Sequence, residues 1–138
     1  MTTYYVPSTS DPDGHIPAKW FSWSPREVIN EFLDQDLDVL IVCLPLNDST
    51  RALIGPEQFQ VMKEKQRFVS NIGRGPIIYT DALIYALNTW FISGAALDVT
   101  GPEPLLREHP LWDAPNVFIT PHVAWWSTDV LARAANIV

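Results

Sequence analysis

The stretch LDVLIVCL at residues 37–44 constrains the fold more than any other part of the sequence. It is apolar at every position except Asp38, rich in branched side chains, and followed by Pro45. The run is short for a helix and lacks the polar alternation of a half-solvated strand, so it predicts a strand buried on both faces. Strands of this kind belong to parallel sheets, because the helices of their crossover connections cover the sheet.

The rest of the chain alternates between predicted helices and strands. Further strands are predicted at residues 67–72, 94–99 and 116–120, with a shorter apolar run at 19–23. Helices are predicted after the cap Ser24, from Gly55 to Met62, from Thr80 to Leu87, and after the cap Ser127. Strands alternating with helices of this length favour right-handed crossovers. We therefore expect an α/β fold, a three-layer sandwich with a mainly parallel sheet covered on both faces.

Length and charge limit the classes of function. A chain of 138 residues has room for one domain with a core, which we place at residues 19–138 after an irregular leader at 1–18. The net charge of −7 and the lack of a basic stripe argue against nucleic acid as a partner. Cys43 is the only cysteine, which suits a reducing compartment. The N-terminus carries no secretion signal and no run is long enough to cross a membrane, so we expect a cytoplasmic protein.

Three side chains of complementary chemistry follow three different predicted strands. Arg74 comes after the second strand, Glu103 after the third and His122 after the fourth. In an open parallel sheet, ligands bind outside the carboxyl ends of the strands, where the loops gather. The three side chains are therefore expected at one edge of the sheet.

The chemistry of this trio points to a small organic acid. A guanidinium binds a carboxylate through two parallel hydrogen bonds, an imidazole exchanges a proton near neutral pH, and a nearby carboxylate favours the imidazolium. Each residue alone has a plainer interpretation: a surface salt bridge for Arg74, a solvated loop carboxylate for Glu103 and a backbone-bonded histidine for His122. The hypothesis depends on the three together, and His15 and His109 are given no functional role.

The same residues lie in motifs that resemble the cofactor-binding domain of the D-isomer-specific 2-hydroxyacid dehydrogenases. The resemblance covers about residues 18–138, in the order VCLPLNDSTRALIG, VSNIGRGPI, DALIYAL, GAALDVTGPEPL, HPLW and NVFITPHVA. It implies a partial Rossmann-type fold, NAD or NADP as cofactor, and a 2-hydroxy or 2-oxo acid as substrate. Hydride would pass between carbon 2 of that substrate and the nicotinamide ring.

The resemblance also implies roles for individual residues. Arg74 would bind the substrate carboxylate and polarise its 2-carbonyl, His122 would act as the acid and base, and Glu103 would pair with His122. Contacts with the nicotinamide end of the cofactor are implied for Leu44, Pro45, Ile72, Gly73 and Asp98. The glycines of NIGRG would let the backbone approach the cofactor closely.

The sequence lacks the G-x-G-x-x-G fingerprint that grips a dinucleotide pyrophosphate, together with the first strand that precedes it. We therefore expect LDVLIVCL at an unprotected sheet edge, which invites a homo-oligomer, and irregular docking of residues 1–36. Full catalysis by the chain alone is not expected, because the cofactor loses most of its contacts. Three functions stay open: a residual NAD(P)-dependent oxidoreductase, a non-catalytic remnant that self-associates, and a carboxylate-binding module without redox activity.

Several residues depart from the family pattern. Tyr79 replaces an acidic residue, and Trp90 replaces the glycine that ends a helix, with Asn88 as a candidate substitute. Trp125 and Trp126 stand where small residues admit the cofactor. These indoles would either narrow the nicotinamide site or cover apolar surface.

Overall fold

The computed structural model describes residues 11, 15–21 and 26–130 and contains one four-stranded sheet. Its strands are β1 (Val39–Val42), β2 (Phe68–Asn71), β3 (Gly94–Leu97) and β4 (Val117–Ile119). Their order is β1-β2-β3-β4 and every pair is parallel. The predicted α/β class and parallel sheet are confirmed.

Three helices connect or precede these strands: α1 (Arg26–Leu33), α2 (Pro56–Met62) and α3 (Thr80–Asn88). Helix α2 begins at Pro56 as predicted, and the Gln58 side chain accepts a hydrogen bond at 3.0 Å from the backbone N–H of Gly55. The predicted cap Ser24 lies outside the described residues. Ser127 does act as a cap, since its hydroxyl accepts the backbone N–H of Val130 at 3.1 Å, but the continuation of that helix past residue 130 is not described.

The core lies on one face of the sheet. Because each strand is the neighbour of the one before it, every right-handed crossover steps in the same direction and places its helix on the same face. The side chains buried there come from all three helices and from the sheet, among them Leu33, Phe59, Leu87, Leu40, Val69 and Ala95.

The opposite face of the sheet is open. Val39 and Ile41 of β1 are 49% and 60% exposed, and Phe118 of β4 is exposed as well. The prediction that LDVLIVCL is buried on both faces is therefore wrong, because helices cover only the side of Leu40 and Val42. The second helical layer of the predicted sandwich does not occur among the described residues.

Helix α1 docks regularly, so the expected irregular docking of residues 1–36 is wrong for this helix. Ile29 and Leu33 are buried. Asn30 joins α1 to α2: its amide donates to Glu57 at 2.8 Å and accepts from Gln58 at 3.0 Å. These contacts hold α1 against α2.

Residues before α1 do not form the strand predicted near 19–23, as far as the described residues extend. Residues 19–21 are not part of a strand. Phe21 instead packs edge-on against Phe32 of α1, with ring centroids 5.5 Å apart, and the Lys19 ammonium lies 4.4 Å above the Phe21 ring. These aromatic and cation–π contacts connect the segment to α1.

Strand β1 lies at the edge of the sheet, as predicted. Among the described residues, no strand pairs with its outer side. An apolar groove of about 360 Å³ runs along it, lined by Trp20, Phe21, Ile29, Phe32, Leu40 and Val42 among others. An uncovered apolar edge of this kind favours pairing with another chain.

The end of α3 is closed by a tryptophan where a glycine is usual. Trp90 has φ = 58°, its N–H bonds to Leu87 at 3.2 Å, and the Phe91 N–H bonds to Ala86 at 2.8 Å. This is a Schellman motif with a left-handed residue at its usual place. Asn88 does not substitute for the missing glycine, because it stays in the helix and its side chain bonds to Ile84 at 2.9 Å.

Candidate active site

The predicted trio follows three neighbouring parallel strands. Arg74 lies three residues past the end of β2, Glu103 lies on the loop after β3, and His122 lies three residues past the end of β4. Strands β2, β3 and β4 are adjacent and parallel, so their carboxyl ends share one edge of the sheet.

Glu103 and His122 form a direct pair. The Nδ1 atom of His122 lies 2.8 Å from Oε1 of Glu103, and both side chains are a little more than one-third exposed. Arg74 is not bonded to either of them among the described residues, and its Nη1 donates to the Gly73 carbonyl at 2.7 Å. The pairing that the resemblance implied for Glu103 and His122 is present in the structure.

A buried asparagine shapes the turn that carries Arg74. The Asn71 side chain accepts the backbone N–H of Gly73 and donates to the Arg74 carbonyl, both at 3.1 Å. Sequence reasoning gave Asn71 no role of its own. The signal was present, since an asparagine at the end of a strand commonly bonds the backbone of the turn that follows.

The two glycines of NIGRG pack against neighbouring loops. A Cβ atom on Gly73 would lie 2.8 Å from the carbonyl oxygen of Leu44, which follows β1. A Cβ atom on Gly75 would lie 1.8 Å from the carbonyl oxygen of Thr100, which follows β3. These contacts require glycine whether or not a cofactor binds. The contact of Gly73 with a cofactor stays a prediction.

Two threonines hold the loop of Glu103 in place. The Thr80 hydroxyl, at the start of α3, donates to the Gly101 carbonyl at 2.6 Å. The Thr100 hydroxyl donates to the Pro102 carbonyl at 2.7 Å. Sequence reasoning missed both, and the partner of Thr80 lies 21 residues further along the chain.

Asp98 joins the end of β3 to the loop of His122. Its Oδ1 accepts the Thr120 hydroxyl at 2.6 Å and the Val123 N–H at 2.8 Å, and its Oδ2 accepts the Ala124 N–H at 2.8 Å. Burial disfavours the charged carboxylate, but these bonds and the nearby His122 outweigh it and hold the pKa of Asp98 below its ordinary value. Oδ2 keeps one lone pair for a further donor.

His122 itself has an unusual backbone. Its φ of 57° places it in the left-handed region, which costs a residue with a side chain about 1–3 kcal/mol. Its N–H bonds to the Thr120 carbonyl at 3.0 Å and its carbonyl accepts the indole N–H of Trp125 at 2.9 Å. Strain of this kind is concentrated at functional sites.

The match to a protein-family model decides which family this chain represents. Residues 7–124 match the model described as D-isomer specific 2-hydroxyacid dehydrogenase, NAD binding domain. The chain belongs to this family. The resemblance stated from the motifs is confirmed, and the sheet is the Rossmann-like one of the family.

Relatives support this assignment in sequence and in structure. The glyoxylate reductase of Aeropyrum pernix is 43% identical over 105 residues, which are 76% of this chain and 31% of that protein. The phosphoglycerate dehydrogenase of Lactobacillus plantarum superposes with a TM-score of 0.69 and 40% identity over 80% of this chain and 37% of its own. The chain thus spans about a third of the length of such relatives.

A similar solved structure contains a bound nucleotide and so indicates the class of cofactor. A D-isomer specific 2-hydroxyacid dehydrogenase from Xanthobacter autotrophicus Py2, in complex with NADPH and MES, superposes with a TM-score of 0.70. Its identity is 34%, and the match covers 80% of this chain and 45% of that one.

The residues implied for the nicotinamide end of this dehydrogenase domain lie at the same sheet edge. Leu44 is half-buried, and Pro45 and Ile72 are exposed. Ile72 and Asp98 line a common cavity of about 240 Å³. An apolar surface beside a carboxylate with a free lone pair fits a flat ring that carries an amide.

Other departures from the family pattern stay on the surface. The Tyr79 hydroxyl donates to Asp81 at 3.2 Å, and the rings of Trp125 and Trp126 stack at 6.4 Å with more than half of each side chain exposed.

In the described part of the chain, no three acidic, histidine or cysteine side chains come together as a metal site. No helix there has the length and hydrophobicity needed to cross a membrane.

Proposed function

We propose that this chain carries the nicotinamide end and the acid–base residues of an NAD(P)-dependent oxidoreductase acting on the CH–OH group of a 2-hydroxy acid. The observation that carries the proposal is the 2.8 Å pair between Glu103 and His122, at the edge where Arg74 follows the neighbouring strand. Membership of the dehydrogenase family supports it.

Arg74 serves the carboxylate of the substrate in this proposal. It is exposed, and the rest of its guanidinium is free to form two parallel hydrogen bonds to a planar acid group. The Asn71 bonds hold the turn from which this side chain extends. A carboxylate bound there directs carbon 2 and its oxygen toward the neighbouring loops.

His122 exchanges the proton of the substrate hydroxyl. Because Nδ1 is bonded to Glu103, Nε2 is the nitrogen left to face the substrate. In oxidation Nε2 takes the hydroxyl proton, the C2–O bond becomes a carbonyl, and in reduction the same proton returns. A bound nicotinamide would supply the acceptor for the hydride, which leaves carbon 2 with both electrons of the C2–H bond and so yields the 2-oxo acid.

In this proposal, the nicotinamide end of the cofactor contacts five residues: Leu44, Pro45, Ile72, Gly73 and Asp98. The sequence contains no pyrophosphate fingerprint, so the cofactor keeps only part of its usual contacts. We therefore expect a dissociation constant of about 1 mM, which corresponds to about −4 kcal/mol. Whether the protein binds NAD or NADP is tested by titration with both nucleotides.

Titration tests the cofactor part of the proposal. NADH and NADPH are added to the protein up to several times the expected constant of about 1 mM, and heat and nucleotide fluorescence are recorded. A saturable signal that Asp98→Asn weakens supports the proposal. No heat and no fluorescence change with either nucleotide rejects it.

A second titration tests the acid-binding residues. Glyoxylate is added without nucleotide to the native protein, to Arg74→Ala and to Arg74→Lys, which keeps the charge but not the forked geometry. Binding that both variants weaken supports the assigned role of Arg74. Acid binding without any nucleotide binding would leave the carboxylate-binding module as the function, and equal binding by all three proteins would eliminate that module.

Self-association is a second candidate, and the edge of β1 favours it. Asp38 and Val42 use their carbonyls for β2, each at 3.0 Å from its donor, so the alternate residues Val39, Ile41 and Cys43 direct their backbone groups outward. Both the outward backbone and the open apolar face suit a second copy.

Sedimentation across a concentration series tests this candidate. Ile41→Lys places a charge on the edge strand and is expected to abolish any dimer. Tyr85→Lys is the matched control, because Tyr85 is equally exposed, at 60%, but lies on α3. A native protein that stays monomeric at every concentration would exclude self-association.

A further inference from the structure

We infer that Trp125 is a positioning residue for His122. The inference rests on the proposed function, in which His122 exchanges a proton with the substrate. Its basis is the hydrogen bond from the Trp125 indole N–H to the His122 carbonyl, at 2.9 Å.

One peptide unit is held at both ends by side chains. Its oxygen, from His122, accepts the indole N–H of Trp125 at 2.9 Å, and its N–H, from Val123, donates to Asp98 at 2.8 Å. Two opposed contacts of this kind fix the rotation of the peptide about its axis. The ψ angle of His122 is therefore set by an indole and a carboxylate.

The conformation that is fixed is a strained one. At φ = 57°, His122 occupies a region that residues with a side chain enter at a cost, so it relaxes unless neighbouring groups hold it there. Relaxation to negative φ turns the Cα–Cβ bond and carries the ring away from Glu103. The 2.8 Å bond between the imidazole and Glu103 thus depends on the peptide being held.

Burial does not explain the placement of Trp125. More than half of the side chain is exposed, as is that of its neighbour Trp126, and the two rings stack at 6.4 Å with an angle of 18° between them. The two indoles differ in their N–H groups. Trp126 is held by a backbone bond from its N–H to the Val123 carbonyl at 2.9 Å, and its indole N–H bonds to no other described residue.

This difference supplies a matched pair of variants. Trp125→Phe and Trp126→Phe each remove an indole N–H and keep an aromatic ring in the stack. The side-chain nitrogens of His122 are observed by NMR in protein labelled with ¹⁵N-histidine, and Glu103→Gln provides the spectrum of a ring without its carboxylate partner. His15 and His109 are assigned by substitution.

The expected result is specific to Trp125. In Trp125→Phe the His122 ring signals move toward those of Glu103→Gln, whereas in Trp126→Phe they keep their native positions. Native His122 signals in Trp125→Phe, or equal shifts in both variants, overturn the inference. Thermal unfolding of the variants is recorded alongside, since a loss of stability without a change in the ring signals would mean a structural role only.

A measurement on the native protein covers the case in which Trp125→Phe does not fold. The bonded indole proton of Trp125 is expected to exchange with solvent about five to ten times more slowly than that of Trp126, which reflects one net hydrogen bond. Equal exchange rates overturn the inference. These experiments contain no nucleotide and no acid, so a failed NADH titration would reject the proposed function and leave the positioning role standing.

Discussion

Gly75→Ala is expected to disrupt the packing of the two loops that carry the site. An added Cβ would lie 1.8 Å from the Thr100 carbonyl oxygen and 2.7 Å from the Gly101 nitrogen. That oxygen has to retreat by about 1.6 Å before the contact reaches the 3.4 Å of ordinary packing. Backbone cannot rotate away as a side chain can, so we expect a loss of about 3 kcal/mol or more, at the upper end for overpacking.

Urea unfolding followed by tryptophan fluorescence measures this loss. With a slope of about 1–3 kcal/mol per molar urea, the midpoint should fall by about 1 M or more. Gly55→Ala is the matched control, because its Cβ would meet nothing closer than 3.6 Å and its φ of −125° suits any residue. That variant should stay within about 1 kcal/mol of the native protein.

A graded series makes the reasoning easier to refute. Gly73→Ala, whose Cβ would lie 2.8 Å from the Leu44 oxygen, should fall between the other two variants. If Gly75→Ala and Gly55→Ala unfold at the same urea concentration, the close approach of the loops is not as described. If Gly75→Ala is too unstable to fold at all, it lacks native fluorescence. If Gly73→Ala and Gly55→Ala still fold in that case, the predicted order of stability of the three variants holds.

Three further outcomes are expected. Trp90→Gly should be about 1 kcal/mol more stable than Trp90→Ala, because both remove the indole and only glycine adopts φ = 58° without cost; an alanine variant of equal stability in urea would contradict this. The pKa of Asp98 is lowered in the folded protein, so the ionised carboxylate stabilises the fold at pH values above its ordinary pKa of 3.8. That contribution is lost as the pH falls through the lowered pKa. The stability difference between the native protein and Asp98→Asn should thus shrink below about pH 4, and a difference independent of pH in acid unfolding would argue against it. Arg67 is fully buried; within the described part of the chain it bonds only to the carbonyls of Met62 and Gln35, and its Nε has no partner there. Arg67→Met, which fills the space without a charge, should be about 2 kcal/mol more stable than Arg67→Ala in thermal unfolding, and equal midpoints would show that the volume does not matter.

Sequence reasoning located the secondary structure because its signals are local. The proline at 56, the run at residues 37–44 and the polar residues between elements each mark a boundary within a few neighbouring residues. It also brought Glu103 and His122 to one edge, since parallel strands all end on the same side. The 2.8 Å distance between them needed the structure.

Most of the side chains that support the site could not be found by that reasoning. Asn71 bonds within its own turn and could have been found from its place at the end of a strand. Asp98 and Thr80 act on residues more than twenty positions away, and the indole N–H of Trp125 bonds to the carbonyl of His122, whose backbone is left-handed. No spacing in the chain signals such contacts.

By itself, the sequence determined the order of helices and strands, the family, and the three residues that the loops present, because these follow from local pattern and motif. Only the tertiary structure decided which surfaces are covered. All crossovers step in one direction, so helices cover a single face and leave Val39 and Ile41 exposed. It also decided that Trp90 and His122 adopt left-handed backbone, since the bonds that hold these conformations form only once the chain has folded.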